Sequence, residues 1–187
     1  MSKKQFTVTS ALPYANGPLH IGHMAGAYLP ADIFVRYQRL KEHEVLFICG
    51  SDEHGAAITL RSKKEKISPQ EIVDKYHNIN KQSFKDFGID FSIFHRTSSE
   101  LHHKTAREFF SDLHKNEKFT KKYTKQFFDK KNNQFLADRY ISGECPKCGY
   151  LHAYGDQCEK CGSALSPEEL INPKSTISGK TPIKKET

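Results

Sequence analysis

The chain contains no apolar run of transmembrane length, and its mean hydropathy is −0.68, which predicts that no segment of it spans a bilayer. Its first residues pass from Ser2-Lys3-Lys4 straight into a strand-like stretch, without the apolar core and small-residue cleavage site of a secretory signal. A cytoplasmic protein is therefore expected. Neither of the two commoner phosphate loops is present, since no GxxxxGK[ST] and no GxGxxG occurs. There is also no internal repeat. With 187 residues the chain is long enough to bury roughly 70% of its unfolded surface, as one sizeable domain or a domain with a small appendage.

What is present begins with charge. Lys and Arg outnumber Asp and Glu by 29 to 22, giving a formal +7, and such an excess favours polyanionic partners. The lysines are dispersed in pairs at Lys63-Lys64, Lys121-Lys122, Lys130-Lys131 and Lys184-Lys185, as on an ordinary solvated surface. Charge alone supports both readings.

The segment LPYANGPLHIGH, residues 12–23, carries the first chemical signal. It follows an alternating run from Phe6 to Ser10 that reads as a short strand, and it precedes helical apolar spacing through Ile33, Phe34, Tyr37 and Leu40. His20 and His23 thus stand at a helix start, where unpaired N–H groups and the helix dipole favour an anion. Three residues apart, they share one face of the first turn, and Gly22 lets a phosphate approach the backbone. Pro30 should kink this helix or break it in two.

Val45-Leu-Phe-Ile-Cys49 is a continuous apolar run, as in a parallel strand buried on both faces, and it ends in Gly50-Ser-Asp-Glu-His-Gly55. Strand, helix and strand at this spacing form a βαβ unit, whose ligands bind beyond the carboxyl ends of the strands. Both the histidine corner and Asp52 lie on that edge. Cys49, inside the strand, reads as a small buried hydrophobe.

Ser68-Pro-Gln-Glu71 is a capping box with proline at the first helical position. It opens a helix with a core face of Ile72, Val73, Tyr76, Ile79 and Phe84, ended by Gly88. Phe91 to His95 reads as a third strand. Ser98 or Ser99 starts a helix carrying Leu101, Phe109, Phe110 and Leu113. From about Phe119 the composition changes. A hairpin is expected, with strands near Tyr123 to Phe128 and Phe135 to Ile141 joined through Lys130 to Asn133. The tail from Asn172 has too few apolar residues to form a core of its own.

Cys145 and Cys148, then nine residues, then Cys158 and Cys161 make two CxxC pairs, each followed by glycine at Gly149 and Gly162. Four soft ligands in two tight turns are what tetrahedral Zn²⁺ requires, and with all four positions filled by protein the metal is structural. One zinc per chain is expected. His152, between the pairs, reads as a surface loop histidine.

With its flanks, the first motif, TSALPYANGPLHIGH, resembles the HIGH signature of class I aminoacyl-tRNA synthetases. GSDEHG and the four-cysteine knuckle narrow the resemblance to the N-terminal part of the methionyl-tRNA synthetase family, over essentially the whole chain and in the family's order. This implies an α/β fold, a partial Rossmann-like parallel sheet over residues 1–117 with an inserted zinc-knuckle connective domain over 118–187. It also implies the family's reaction, in which methionine and ATP, accompanied by Mg²⁺, give methionyl-adenylate, and the aminoacyl group then passes to tRNA(Met) for translation initiation and elongation. The resemblance places methionine against Ala11, Leu12, Tyr14 and Asp52, and ATP against Tyr14, Asn16, His20, Gly22 and His23, with His20 and His23 catalytic. From sequence alone Tyr14 reads equally as core. Glu53 and His54 read as braces of their loop.

Family members continue into a second half of the nucleotide fold, a KMSKS loop and an anticodon-binding domain, none of which is in these residues. The chain is accordingly expected to be a fragment that does not activate methionine alone and leaves a strand edge and apolar surface uncovered. A synthetase for another amino acid, and a non-catalytic zinc-knuckle RNA-binding module, are the competing readings. Oligomeric state is not legible in the sequence.

Overall fold

The computed structural model describes residues 3–187. They fall into two compact units, the first ending at Lys118 and the second spanning Phe119–Thr187.

The first unit is built on a three-stranded parallel sheet, β1 (Gln5–Thr9), β2 (Glu44–Ser51) and β3 (Ile93–Arg96), in the order β1-β2-β3. Parallel neighbours require crossover helices. The first crossover is α1 (Ile21–His23), a π-helical stretch Met24–Tyr28 and α2 (Leu29–Leu40); the second is α3 (Ala56–Glu65) and α4 (Pro69–Asp86), and α5 (Glu100–Lys115) follows β3. The helical path from Ile21 to Leu40 is continuous through Pro30. The Leu29 N–H bonds to Met24 O, five residues back, and this wider turn takes up the proline that a regular α-turn would exclude.

The core of this unit gathers Met24, Tyr28 and Val35 from the first crossover, Phe47 and Cys49 from β2, and Phe84 and Ile89 from the end of the second. The helical periodicity of Ile33, Phe34, Tyr37 and Leu40 holds, but that stripe points away from the core, with Leu40 84% exposed. Apolar residues lie on two faces of this helix, and the sheet takes the one built from Met24, Tyr28 and Val35. On α4 the Ser68–Glu71 capping box forms, and Ile72, Val73, Tyr76 and Phe84 are buried. Ile79 is 39% exposed. Its expected place in the core belongs to Asn80, four residues after Tyr76 and fully buried.

The second unit carries two antiparallel sheets. Strands β5 (Gln134–Phe135), β4 (Lys125–Asp129) and β9 (Ile183–Glu186) form one; β7 (Ala153–Tyr154), β6 (Ile141–Glu144) and β8 (Ile171–Ser175) form the other. The hairpin turn at residues 130–133 is present, with Asn133 in the left-handed region at φ 49. Its second strand is shorter than expected, because a 3₁₀ turn at Asp138–Tyr140 passes the chain from one sheet to the other.

The apolar-poor tail builds no core but supplies an outer strand to each sheet, and a single carboxylate ties it down. Asp129 accepts bonds from the Lys131 and Asn132 N–H groups, the Asn132 side chain and Ser175 Oγ at 2.7 Å. These bonds hold its carboxyl far below the ordinary carboxylate range.

Phe47 is fully buried, with its ring 4.4 Å from that of Phe91. Phe47→Ala is expected to destabilise the protein by about 3–5 kcal/mol, read as a lower urea midpoint; a change below 1 kcal/mol would show that this core is not what holds the unit together.

Candidate functional site

The β1–β2 ladder does not stop where the strands do. Beyond Thr9 and Ile48 it is rejoined at Tyr14 and Asp52, with the Ala15 N–H donating to Asp52 O at 2.8 Å and the Asp52 N–H to Pro13 O at 2.9 Å. Between these points the first chain has five residues of advance and the second four, from Thr9 to Tyr14 against Ile48 to Asp52. The surplus residue pushes residues 10–13 into a bulge, which leaves Ala11 exposed and Leu12 50% exposed at the carboxyl edge of the sheet. Beneath it, the Cys49 thiol faces the Ala11 carbonyl at 3.6 Å. Burial pushes that thiol up to about 11, so Cys49 is packing and not a nucleophile.

His20 is the N-cap of the helical path, and it and His23 form a reciprocal box. The Gly22 N–H donates to His20 Nδ1 at 3.1 Å, and the His20 N–H to His23 Nδ1 at 3.3 Å. The two rings stack at 3.7 Å with an interplanar angle of 18°. Each Nδ1 is therefore an acceptor, so in the neutral imidazoles both protons sit on Nε2, on side chains that are exposed. The result is a pair of parallel N–H donors facing outward from one turn. Gly22 contributes space as well as backbone access: a Cβ there would lie 3.1 Å from the His20 ring.

Tyr14 lies with its hydroxyl over the next loop. A Cβ at Gly55 would be 2.5 Å from Tyr14 Oη, and Gly55 has φ +102, so this position demands glycine twice over. Tyr14 is 42% exposed and thus not core. Asp52 is half-buried, and its carboxylate faces the His54 N–H at 3.5 Å. Among the described residues no hydrogen bond joins His20 or His23 to Asp52; the structure sets them on neighbouring loops of one edge.

Glu53 and His54 do brace. The Glu53 carboxylate is buried and receives Arg96 Nε at 2.8 and 2.9 Å and the Ser98 hydroxyl, while its N–H donates to Thr97 Oγ1 at 2.9 Å. Arg96 also reaches Asp74 at 2.6 Å. His54 Nε2 bonds to Thr97 O at 3.2 Å. His77 completes this layer, its Nδ1 2.6 Å from Ser51 Oγ and 3.7 Å from Glu53. Arg96, His77 and Asn80 were not singled out from the sequence. For His77 and Asn80 the signal was polar residues at helix-core spacing, since 77 and 80 fall on the face made by Ile72, Val73, Tyr76 and Phe84; Arg96, on β3, had none.

In the second unit, the four sulfurs of Cys145, Cys148, Cys158 and Cys161 lie within 4.8 Å of one another. Two of the separations are 3.9 and 3.6 Å, and bonds of about 2.3 Å to a tetrahedral ion require about 3.8 Å. The two knuckles repeat one another. The Gly149 N–H donates to Cys145 O and the Gly162 N–H to Cys158 O, with φ +70 and +71 at the glycines. Four soft donors gathered in this way suit a tetrahedral metal ion. His152 is outside it, against the Tyr150 ring.

The first unit thus carries paired histidines at the first strand's edge and an aspartate at the second's, and the second unit carries a four-cysteine knuckle. The family model for tRNA synthetases class I (M) matches residues 6–187, and the chain belongs to that family. It is 61% identical over 184 residues to the methionine–tRNA ligase of Bacteroides fragilis, covering 98% of this chain and 27% of that protein. With the methionine–tRNA ligase of Cytophaga hutchinsonii it shares 60% over 183 residues, at the same coverages. The chain thus spans about a quarter of the length of these relatives. The fold is shared with the Mycobacterium tuberculosis methionyl-tRNA synthetase solved with methionyl-adenylate, at TM-score 0.66 and 18% identity, covering 98% of this chain and 31% of that one. An Agrobacterium radiobacter K84 LeuRS, solved in a ternary complex, gives TM-score 0.67 at 22% identity, covering 100% and 20%. No helix among the described residues is long and apolar enough to cross a membrane.

Burial, then the nearby Arg96 charge, lowers the His77 pKa. The unfolded chain therefore takes up a proton near pH 6.5 that the folded chain refuses, and stability should fall as pH drops below that value. Thermal melts of wild type and His77→Asn between pH 8 and pH 5 test this: the wild type should lose more than the variant, and parallel curves would remove His77 from the account.

Proposed function

We propose that this chain carries the amino-acid-activating part of a methionine–tRNA ligase, acting within the full-length protein. The observation that carries the reading is the pair of outward Nε2–H donors on His20 and His23, set beside the Asp52 loop by the Tyr14–Asp52 bridge. In the proposed reaction a carboxylate oxygen of methionine attacks the α-phosphorus of ATP, and the bond to the bridging oxygen breaks to release pyrophosphate. The negative charge gathering on the phosphate oxygens meets the two Nε2–H groups. A hydroxyl at the 3′ end of tRNA(Met) then attacks the methionyl carbonyl and displaces AMP.

Asp52 supplies a carboxylate for methionine's α-ammonium, with the exposed backbone of Ala11 and Leu12 beside it. The Tyr14 ring, held over Gly55, covers the thioether, a polarisable group that favours an aromatic surface. Asn16 and Gly22 line the nucleotide side. Mg²⁺ enters as the counter-ion of ATP. These assignments rest on the family and on the placement of each residue at the sheet edge. The cysteine set is proposed to hold one structural Zn²⁺, which closes the second unit and takes no part in the chemistry.

Methionine-dependent exchange of labelled pyrophosphate into ATP by the full-length protein tests the reading. Methionine should support exchange where leucine, isoleucine and valine do not, and His20→Ala and His23→Ala should each lower kcat by about 10²–10³-fold. Exchange driven by another amino acid, or none, would overturn it; in the latter case tight tRNA binding would favour an RNA-binding module.

For the metal, elemental analysis of unchelated protein should find one zinc per chain. Cys158→Ala should lose it and destabilise the second unit, since metal binding in such knuckles is largely folding free energy. Full retention of zinc by Cys158→Ala would place the metal elsewhere.

A further inference from the structure

The buried face of α4 holds two polar side chains that the proposed reaction does not use, His77 and Asn80. Asn80 is fully buried, and both ends of its amide are committed to the segment just before His20. Oδ1 accepts from the Leu19 N–H at 3.2 Å, and Nδ2 donates to the Gly17 carbonyl at 3.4 Å. Among the described residues, these are the hydrogen bonds that tie residues 17–19 to the rest of the unit; the β1–β2 ladder ends at Ala15. A leucine would fill this core position as well, and a buried amide is unfavourable unless both its ends are bonded. Three residues earlier on the same helix, His77 bonds to Ser51 Oγ, on the residue immediately before Asp52.

We infer that α4 is the strut that sets the two substrate loops relative to one another, Asn80 positioning the histidine corner through Gly17 and Leu19, and His77 positioning the Asp52 loop through Ser51. Neither residue touches substrate. Residues three apart on an α-helix are one rigid step of about 4.5 Å along its axis, so the two loops cannot drift independently while both bonds hold. The inference rests on the proposed methionine-activating reading for its kinetic consequence, but not for the tether itself.

The full-length protein carrying Asn80→Leu keeps the volume and removes both bonds. Hydrogen exchange should become at least an order of magnitude faster at the Leu19 amide, while β2 and α4 keep their protection. In the pyrophosphate-exchange assay kcat should fall by about 10²-fold, the scale of an ångström-level misplacement, with KM for methionine unchanged. Asn80→Asp, which keeps the acceptor for Leu19, should retain that amide's protection. His77→Leu should act on the other loop, raising KM for methionine, and His77→Asn, whose amide reaches the Nδ1 position, should restore it.

Loss of protection spread evenly over the first unit in step with Tm, or wild-type kcat in Asn80→Leu, would overturn the strut. Should Asn80→Leu fail to fold, Asn80→Ser against Asn80→Asp makes the same comparison. A wild-type protein without methionine-dependent exchange would sink the functional reading instead, leaving the Leu19 amide to decide the tether.

Discussion

Everything at the sheet edge depends on two backbone hydrogen bonds, Ala15 N–H to Asp52 O and Asp52 N–H to Pro13 O. They resume the β1–β2 ladder after the one-residue surplus and so fix how far the bulge stands out. With them in place, the Tyr14 hydroxyl falls over Gly55, Asp52 stands at the edge, and Ala11 and Leu12 are exposed. A slip of one residue would turn each of these side chains to the opposite side. Below the edge, Phe47 and Cys49 anchor β2 in the core.

The fold was legible to the extent that it is written in periodicity. The apolar run at Val45–Cys49, the capping box at Ser68 and the paired CxxC spacing each state a local rule that the chain obeys. Three features were not legible, each because a tertiary contact decides it. Pro30 reads as a kink or a break, yet the helical path runs on through it beside a π-turn. Ile79 reads as core, yet Asn80 is drawn inward because the loop at Gly17 and Leu19 needs a donor and an acceptor. The stripe through Ile33 and Leu40 announces a helix correctly but not its facing, since α2 is apolar on both sides and only one side meets the sheet.

The site divides in the same way. His20, His23, Asp52 and the four cysteines could be picked out because each belongs to a short motif whose spacing has a mechanical meaning. Their supports could not, because Arg96, His77 and Asn80 lie 43, 26 and 61 residues from the partners they hold. Two of the glycines also had reasons hidden from sequence. Gly22 leaves room for the His20 ring to fold back onto its own turn, and Gly55 for the Tyr14 hydroxyl. Both are steric statements about a neighbour's side chain.

Global shape carries little of the functional argument. The fold matches a methionyl and a leucyl enzyme equally well, at TM-scores of 0.66 and 0.67, so the sheet and its crossovers cannot by themselves select an amino acid. In the proposed reading, selection comes from what stands on the edge, where the sequence relation to methionine–tRNA ligases at about 60% identity goes with a specific arrangement. The Tyr14 hydroxyl sits over Gly55, where φ +102 favours glycine, next to a carboxylate whose residue is bridged to Tyr14 through the backbone. In the proposed reading, such an edge takes a ligand with an ammonium group at one end and a polarisable apolar group at the other, and only while the ladder between the two loops keeps its register.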